Sequence, residues 1–255
     1  MVNLPQDNAG VKRSYREDNC PQGMQSFTLT VKDTDLWVAV DGNVCVSGLV
    51  EELENYVWRQ RACLEKYLEE DPIFHKSLTP RLARRDAPQL AVSMARAANR
   101  AGVGPMAAVA GAFALLAGEW LLDHTTQVIV ENGGDIFCCC TEPVHVGVYA
   151  GTSPFSGRLL VEVDGGGRGK GICTSSATVG PSYSKGRADA AVIVSPDVLL
   201  ADAVATATAN KVCSPEDLER GTAFAMGIEG VEGVLVIMKD KLAACGNIQL
   251  RQTIP

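Results

Sequence analysis

Val128-Ile129-Val130-Glu131-Asn132-Gly133-Gly134-Asp135-Ile136 is the stretch around which the chain organises. Its β-branched run, Val128 to Val130, reads as a strand with a buried apolar face. Asn132, Gly133 and Gly134 end that strand, Asp135 follows at once, and Ile136–Cys140 reads as a partner strand. Asn-Gly favours a tight hairpin turn with positive φ. Glycine also lets a ligand come close to the backbone. The stretch is thus either a plain turn between two core strands or a strand end shaped for a ligand.

Upstream, Phe27, Leu29 and Val31 alternate with polar residues, and so do Leu36, Val38 and Val40. Two antiparallel strands are implied, with Val44 and Val46 extending the hairpin beyond a turn at Asp41-Gly42-Asn43. A helix from about Gly48 to Glu70 ends at Asp71-Pro72. The proline-punctuated link that follows, 72–88, carries Arg81, Arg84 and Arg85, a solvated basic face or an anion clamp. Helical text resumes at Gln89–Arg100 and again from Met106 to about Leu122. The uncharged stretch between Arg100 and Glu119 is long enough to raise the membrane question, but its Ala/Gly content and Pro105 favour a buried helix.

Downstream, strands are expected at Val144–Tyr149 and Leu159–Val163, then a glycine-rich loop, then a strand at Ala190–Val194. Ser195-Pro196 opens a helix of about 197–212, and Ser214-Pro215 opens another. Val234–Met238 and Leu242–Cys245 close the chain as a hairpin. Each half, about 24–141 and 142–250, reads strand, strand, helix, helix, strand, strand. This implies a layered α+β fold with largely antiparallel sheets, one domain over 1–255, and an internal structural duplication.

Composition limits the function. The net charge of −7 leaves no basic excess for nucleic acid. Nine cysteines without a Cys-x-x-Cys pair make a poor disulfide framework and suggest a reducing cytosol. Cys138, Cys139 and Cys140 read as buried thiols, with a soft-metal site as the alternative. No apolar leader opens the chain, so a cytoplasmic protein without a membrane partner is expected.

Two later stretches carry chemistry. Asp164-Gly165-Gly166-Gly167-Arg168-Gly169-Lys170-Gly171 leads into Ile172-Cys173-Thr174-Ser175-Ser176-Ala177-Thr178. Backbone amides, two cations and several hydroxyls are what a phosphate wants, although the run departs from a Walker A loop at Gly171. Gly165–Gly169 reads as a surface loop and Thr174–Thr178 as a ligand contact. The third stretch is Leu200-Ala201-Asp202-Ala203-Val204-Ala205-Thr206-Ala207-Thr208-Ala209-Asn210. A helix stacks Asp202 and Thr206 on one face. That gives either hard oxygen ligands suited to Mg²⁺ or a polar stripe facing solvent.

In that order, Asn132-Gly133-Gly134-Asp135, Thr174-Ser175-Ser176 and Ala201-Asp202-Ala203-Val204-Ala205-Thr206 resemble the ApbE superfamily of Mg²⁺-dependent FAD:protein FMN transferases. Gly102 to Gly111 and Lys185-Gly186-Arg187-Ala188-Asp189-Ala190 look like an uncharacterised cytosolic ApbE-like branch. The resemblance covers roughly 100–212. It implies duplicated ββααββ (T-fold-like) units, with FAD or a related flavin nucleotide and Mg²⁺ as cofactors. It implies Asp202, Thr206 and the Ala107 backbone as metal ligands, and Asn132, Gly133, Gly134, Thr174, Ser175 and Ser176 around the nucleotide. Asp135 or Asp189 would act on an incoming hydroxyl, and Thr178 is a weak match to the acceptor motif that such transferases modify. The implied partners are a small-molecule nucleotide and a protein acceptor. The Lys-Gly-Tyr-x-x-Asp run of the transferases is replaced by Ala107 to Ala112, and their His-x-x-Asp-Pro run is missing. That leaves three options open: a transferase, a non-catalytic flavin or nucleotide carrier or sensor, and a structural homo-oligomer.

Overall fold

Alternation sets up the first hairpin. β1 (Met24–Val31) and β2 (Thr34–Asp41) pair antiparallel, with Phe27 opposite Val38 and Leu29 opposite Leu36. The computed structural model describes residues 20–165, 167, 169–176 and 186–253. Val46 does not extend the hairpin; it begins α1 (Val46–Glu70). Leu49, Leu53, Val57, Leu64, Tyr67 and Leu68 form that helix's buried face. Each buried leucine contributes about 1.5–3 kcal/mol, against a few tenths per residue from helix propensity, so packing fixes α1. Asp71 ends it and caps α2 (Pro72–Lys76), accepting from the Phe74 amide at 3.0 Å.

After the 72–88 link come α3 (Gln89–Ala101), a 3₁₀ turn at Pro105–Ala108 and α4 (Val109–Leu121). Among the described residues no single helix is long and apolar enough to cross a membrane. The α3 and 105–121 pair, which passes that test only together, bends by 101°. β3 (Val128–Asn132) and β4 (Asp135–Cys139) then join the sheet beside β2.

The next two strands differ from expectation. β5 (Val144–Gly147) and β6 (Leu159–Val163) leave the main sheet and form a three-stranded sheet, order β11-β6-β5, with β11 (Gln249–Gln252). The run from Lys170 is not a loop. Lys170–Ser175 is β7, a central strand between β4 and β8 (Ala190–Ser195). Glycine disguises it in the sequence. At Gly171 a Cβ would lie 2.6 Å from the Val198 Cα, so the bare strand lets α5 (Val198–Lys211) cross close above. Asp197, not Ser195, caps α5, accepting from Leu200 N at 3.1 Å. Ser195 instead donates to the Gly230 carbonyl and accepts from Asp197 N. A capping box of Ser214 and Asp217 leads into α6 (Leu218–Met226), and β9 (Gly233–Met238) and β10 (Lys241–Gly246) finish the main sheet.

The main sheet runs β1-β2-β3-β4-β7-β8-β9-β10, every neighbouring pair antiparallel. The class is α+β. The order strand, strand, helices, strand, strand occurs in β1–β4 and again in β7–β10. Side chains alternate between two cores. Val38, Val130, Phe137, Cys173 and Ile193 pack under the helices. Ala39, Ile129, Ile136, Ile172 and Val192 pack against the three-stranded sheet with Val144, Val161 and Val163. The cysteine triplet follows the same rule: Cys139 faces the helices while Cys138 and Cys140 face the smaller sheet, all buried. Burial pushes Cys138 up to about 12 and Cys140 to about 11.

Candidate functional site

The turn between β3 and β4 has positive φ at both central residues, 68° at Gly133 and 103° at Gly134. Only glycine adopts this pair without strain. The Gly134 amide donates to Glu131 Oε1 at 2.7 Å, and its carbonyl accepts from Thr174 N at 3.1 Å. Asn132 sits on the helix side, where its Nδ2 donates to the Ala110 carbonyl at 2.9 Å.

Asp135 and Asp202 are both buried on the helix side of the sheet near this turn, close enough for the Asp202 charge to act on Asp135. Asp202, on α5, accepts from the Gly111 amide through Oδ2 at 2.8 Å, and the Ala110 amide also bonds to it. The start of α4 thus lends a carboxylate its free amides. Asp135, level with Cys173 across the β4–β7 ladder, contacts the Cys173 thiol and the Thr174 backbone. Its Oδ1 is buried and has no hydrogen-bond partner. Burial, and the Asp202 charge beside it, push the Asp135 carboxyl well above the usual carboxylate range. Burial also pushes Asp202 up to about 7, against the two backbone amides that hold it down. Two such acids cannot both ionise without compensation, and among the described residues no cluster of three or more His, Cys, Asp or Glu side chains is placed to hold a metal ion.

The other expected residues fall around this pair or away from it. Thr206 is half-buried one helical turn beyond Asp202, and Ala107 lies in the Pro105–Ala108 turn that packs on α5. Ser175 shares its strand face with Cys173, and Thr174 points to the opposite face. Ser175 and Ser176 are buried. Asp189 is set apart. Cys173, and with it Asp135, is level with Ile193 of β8, so Asp189 lies about 13 Å further along at strand rise. Its Oδ2 accepts from the Lys239 amide at 2.6 Å, and it lines a separate open cleft of about 770 Å³ with Arg187, Cys213 and Lys239. Thr178 lies outside the described residues.

The sequence did not reveal the amides of Ala110 and Gly111, the Cys173 thiol or the Glu131 brace. Gly111 did carry a signal, being a glycine inside an otherwise alanine-rich helix.

A family model described as "AbpE bacteria" matches residues 17–230. The chain belongs to this ApbE-like family. A UPF0280 protein of Methanocella arvoryzae is 43% identical over 193 residues, 75% of this chain and 78% of that one. A UPF0280 protein of Methanosarcina barkeri is 39% identical over 220 residues, 86% of this chain and 85% of that one. Among solved structures, the apo flavinyl transferase ApbE of Pseudomonas stutzeri superposes with a TM-score of 0.54 at 15% identity, covering 88% of this chain and 94% of its own. The ApbE protein of Thermotoga maritima gives 0.53 at 11% identity, covering 88% and 96%. At these identities the likeness is one of fold, and the ApbE-like chain shares its α+β architecture with them.

Proposed function

We propose that this ApbE-like chain binds FAD, or a related flavin nucleotide with a diphosphate, together with Mg²⁺, and transfers FMN to a hydroxyl of a protein acceptor in the cytosol. The observation that carries the reading is the buried Asp135–Asp202 pair with its unpartnered Asp135 Oδ1, lying near a glycine turn. Carboxylate oxygens are the hard ligands Mg²⁺ takes, one or two of them together with substrate phosphates and water. Asp202 would hold the ion, with Thr206 one turn along and the Ala107 backbone completing the set. When bound, the ion neutralises the diphosphate and makes its phosphorus more open to attack.

The chain's own residues do the rest. Asn132 fixes the start of α4, so that its amides keep Asp202 in place. Gly133 and Gly134 leave room for the nucleotide against the backbone, and Ser175 and Ser176 offer hydroxyls at the adjacent strand end, whereas the Thr174 side chain faces the other core and contributes its backbone only. Asp135, whose burial raises its proton affinity, takes the proton of the incoming hydroxyl. The hydroxyl oxygen bonds to the FMN phosphorus as the bond to AMP breaks, and AMP leaves with that electron pair. Asp189 keeps the Lys239 turn in shape at the separate cleft, away from this step.

A second reading, a non-catalytic flavin or nucleotide carrier or sensor, is favoured by the absence of the Lys-Gly-Tyr and His-x-x-Asp-Pro runs. Incubation with FAD and Mg²⁺, followed by chromatography for AMP, separates the two. AMP release that stops in Asp135→Asn supports transfer; a yellow protein that never releases AMP is a carrier.

A further inference from the structure

The 72–88 link is pinned from beneath and open above. Phe74 is buried and meets Tyr67 edge-on, ring centroids 5.1 Å apart. The Tyr67 hydroxyl accepts from the Arg84 amide at 3.1 Å, and the Arg84 guanidinium, lying over the Tyr67 ring, pairs with Asp86. The Ser77 carbonyl packs so closely on Gly104 that a Cβ there would lie 1.8 Å from it. What faces outward is apolar and cationic. Ile73, Leu78 and Leu82 are 66%, 57% and 84% exposed. Lys76, Arg81 and Arg85 are exposed beside them, and none has an acid partner among the described residues.

We propose that this link is a docking surface for an anionic lipid bilayer, with Leu78, Leu82 and Ile73 entering the interface and Lys76, Arg81 and Arg85 meeting phosphates. The area argues against a second copy of the chain: three side chains fall well short of the roughly 800 Å² per partner of a stable protein interface. Their high exposure leaves the side chains available above the surface. A bilayer asks for less, because apolar tips and cations act together there. The net charge of −7 repels the rest of the surface from such a membrane and so orients the chain by this patch. In this arrangement Arg81 and Arg85 act as the anion clamp.

Co-sedimentation of the full chain with phosphatidylcholine vesicles, with and without phosphatidylglycerol, tests this. The wild type should pellet only with phosphatidylglycerol, and less so as salt rises. Arg81→Gln with Arg85→Gln should weaken binding about thirtyfold, and Leu82→Asp about tenfold or more. All three positions are exposed, and unchanged thermal melting will show that the variants fold. No pelleting of the wild type on anionic vesicles would overturn the proposal, as would variants that bind like the wild type. Self-association in sedimentation velocity that Leu82→Asp abolishes would also overturn it, by giving the patch to a second copy.

Discussion

The Gly111 amide donates to Asp202 Oδ2 at 2.8 Å, so the first turn of α4 and the middle of α5 meet at a single carboxylate. A Cβ at position 111 would lie 3.0 Å from the Asp202 Cβ and 3.1 Å from the Val198 carbonyl oxygen. Glycine to alanine in a helix ordinarily stabilises by up to about 1 kcal/mol. Here Gly111→Ala should instead destabilise by about 1–3 kcal/mol through overpacking, measured by urea denaturation. A more stable variant would mean that the two helices are not in close contact at this point.

Asp202 gives the chain a pH signature. Its carboxyl is raised to about 7 in the folded state, mainly by burial, and lies near 3.9 unfolded. Between those values the folded state binds more protons than the unfolded, so stability falls as pH rises from about 4 through 7. Asp135, shifted in the same direction, adds to the fall. Denaturation curves across that range should show the decline, and Asp202→Asn, which still accepts from Gly111, should flatten it. A wild type whose stability climbs over the same range would contradict the buried pair.

Asp41 predicts the opposite sign. Burial would raise its carboxyl, but bonds from Thr126, Gln127 and Thr125 hold it down at about 2. Its Oδ2 accepts from Thr125, from both the amide and the hydroxyl of Thr126, and from the Gln127 amide, while Oδ1 accepts from Gln127 Nε2. Its contribution is full above about pH 4 and is lost as pH falls through about 2. Replacing a charged acceptor costs about 1.5–3 kcal/mol, so Asp41→Asn should lower stability at neutral pH by that order and remove part of the acid transition. Equal melting of variant and wild type at pH 7 would show that solvent replaces these bonds.

Eight of the nine cysteines divide into two kinetic classes, with Cys20 half-buried between them. Cys45, Cys63, Cys213 and Cys245 are exposed, whereas Cys138, Cys139, Cys140 and Cys173 are buried. A thiol reagent should label the first four rapidly, Cys45 soonest, since bonds from Ser47 lower its thiol. The buried four should react only on unfolding. Fast labelling of Cys138 would mean that the β4 ladder opens under native conditions.

How much of this was legible depends on distance along the chain. The first hairpin, the long α1 face and the glycine turn were readable because each is fixed by residues close in sequence. β7 was hidden because Gly171, needed for the approach of α5, breaks the β-branched signal on which strand reading relies. The separate three-stranded sheet was hidden because β11 pairs with β6 across the whole second half of the chain. In the candidate site Asp135 and Asp202 were readable as residue types, but their proximity was not. The backbone amides that hold Asp202 have no residue signature at all, apart from the glycine at 111.

The central claim is a cation-dependent nucleotide site built on Asp202. Calorimetric titration of FAD into the wild type and Asp202→Ala, with Mg²⁺ and then with a chelator, tests it most directly. Binding to the wild type should need Mg²⁺ and disappear in Asp202→Ala. FAD binding that ignores both the chelator and the substitution would contradict it, as would no binding by a folded wild type with Mg²⁺ present.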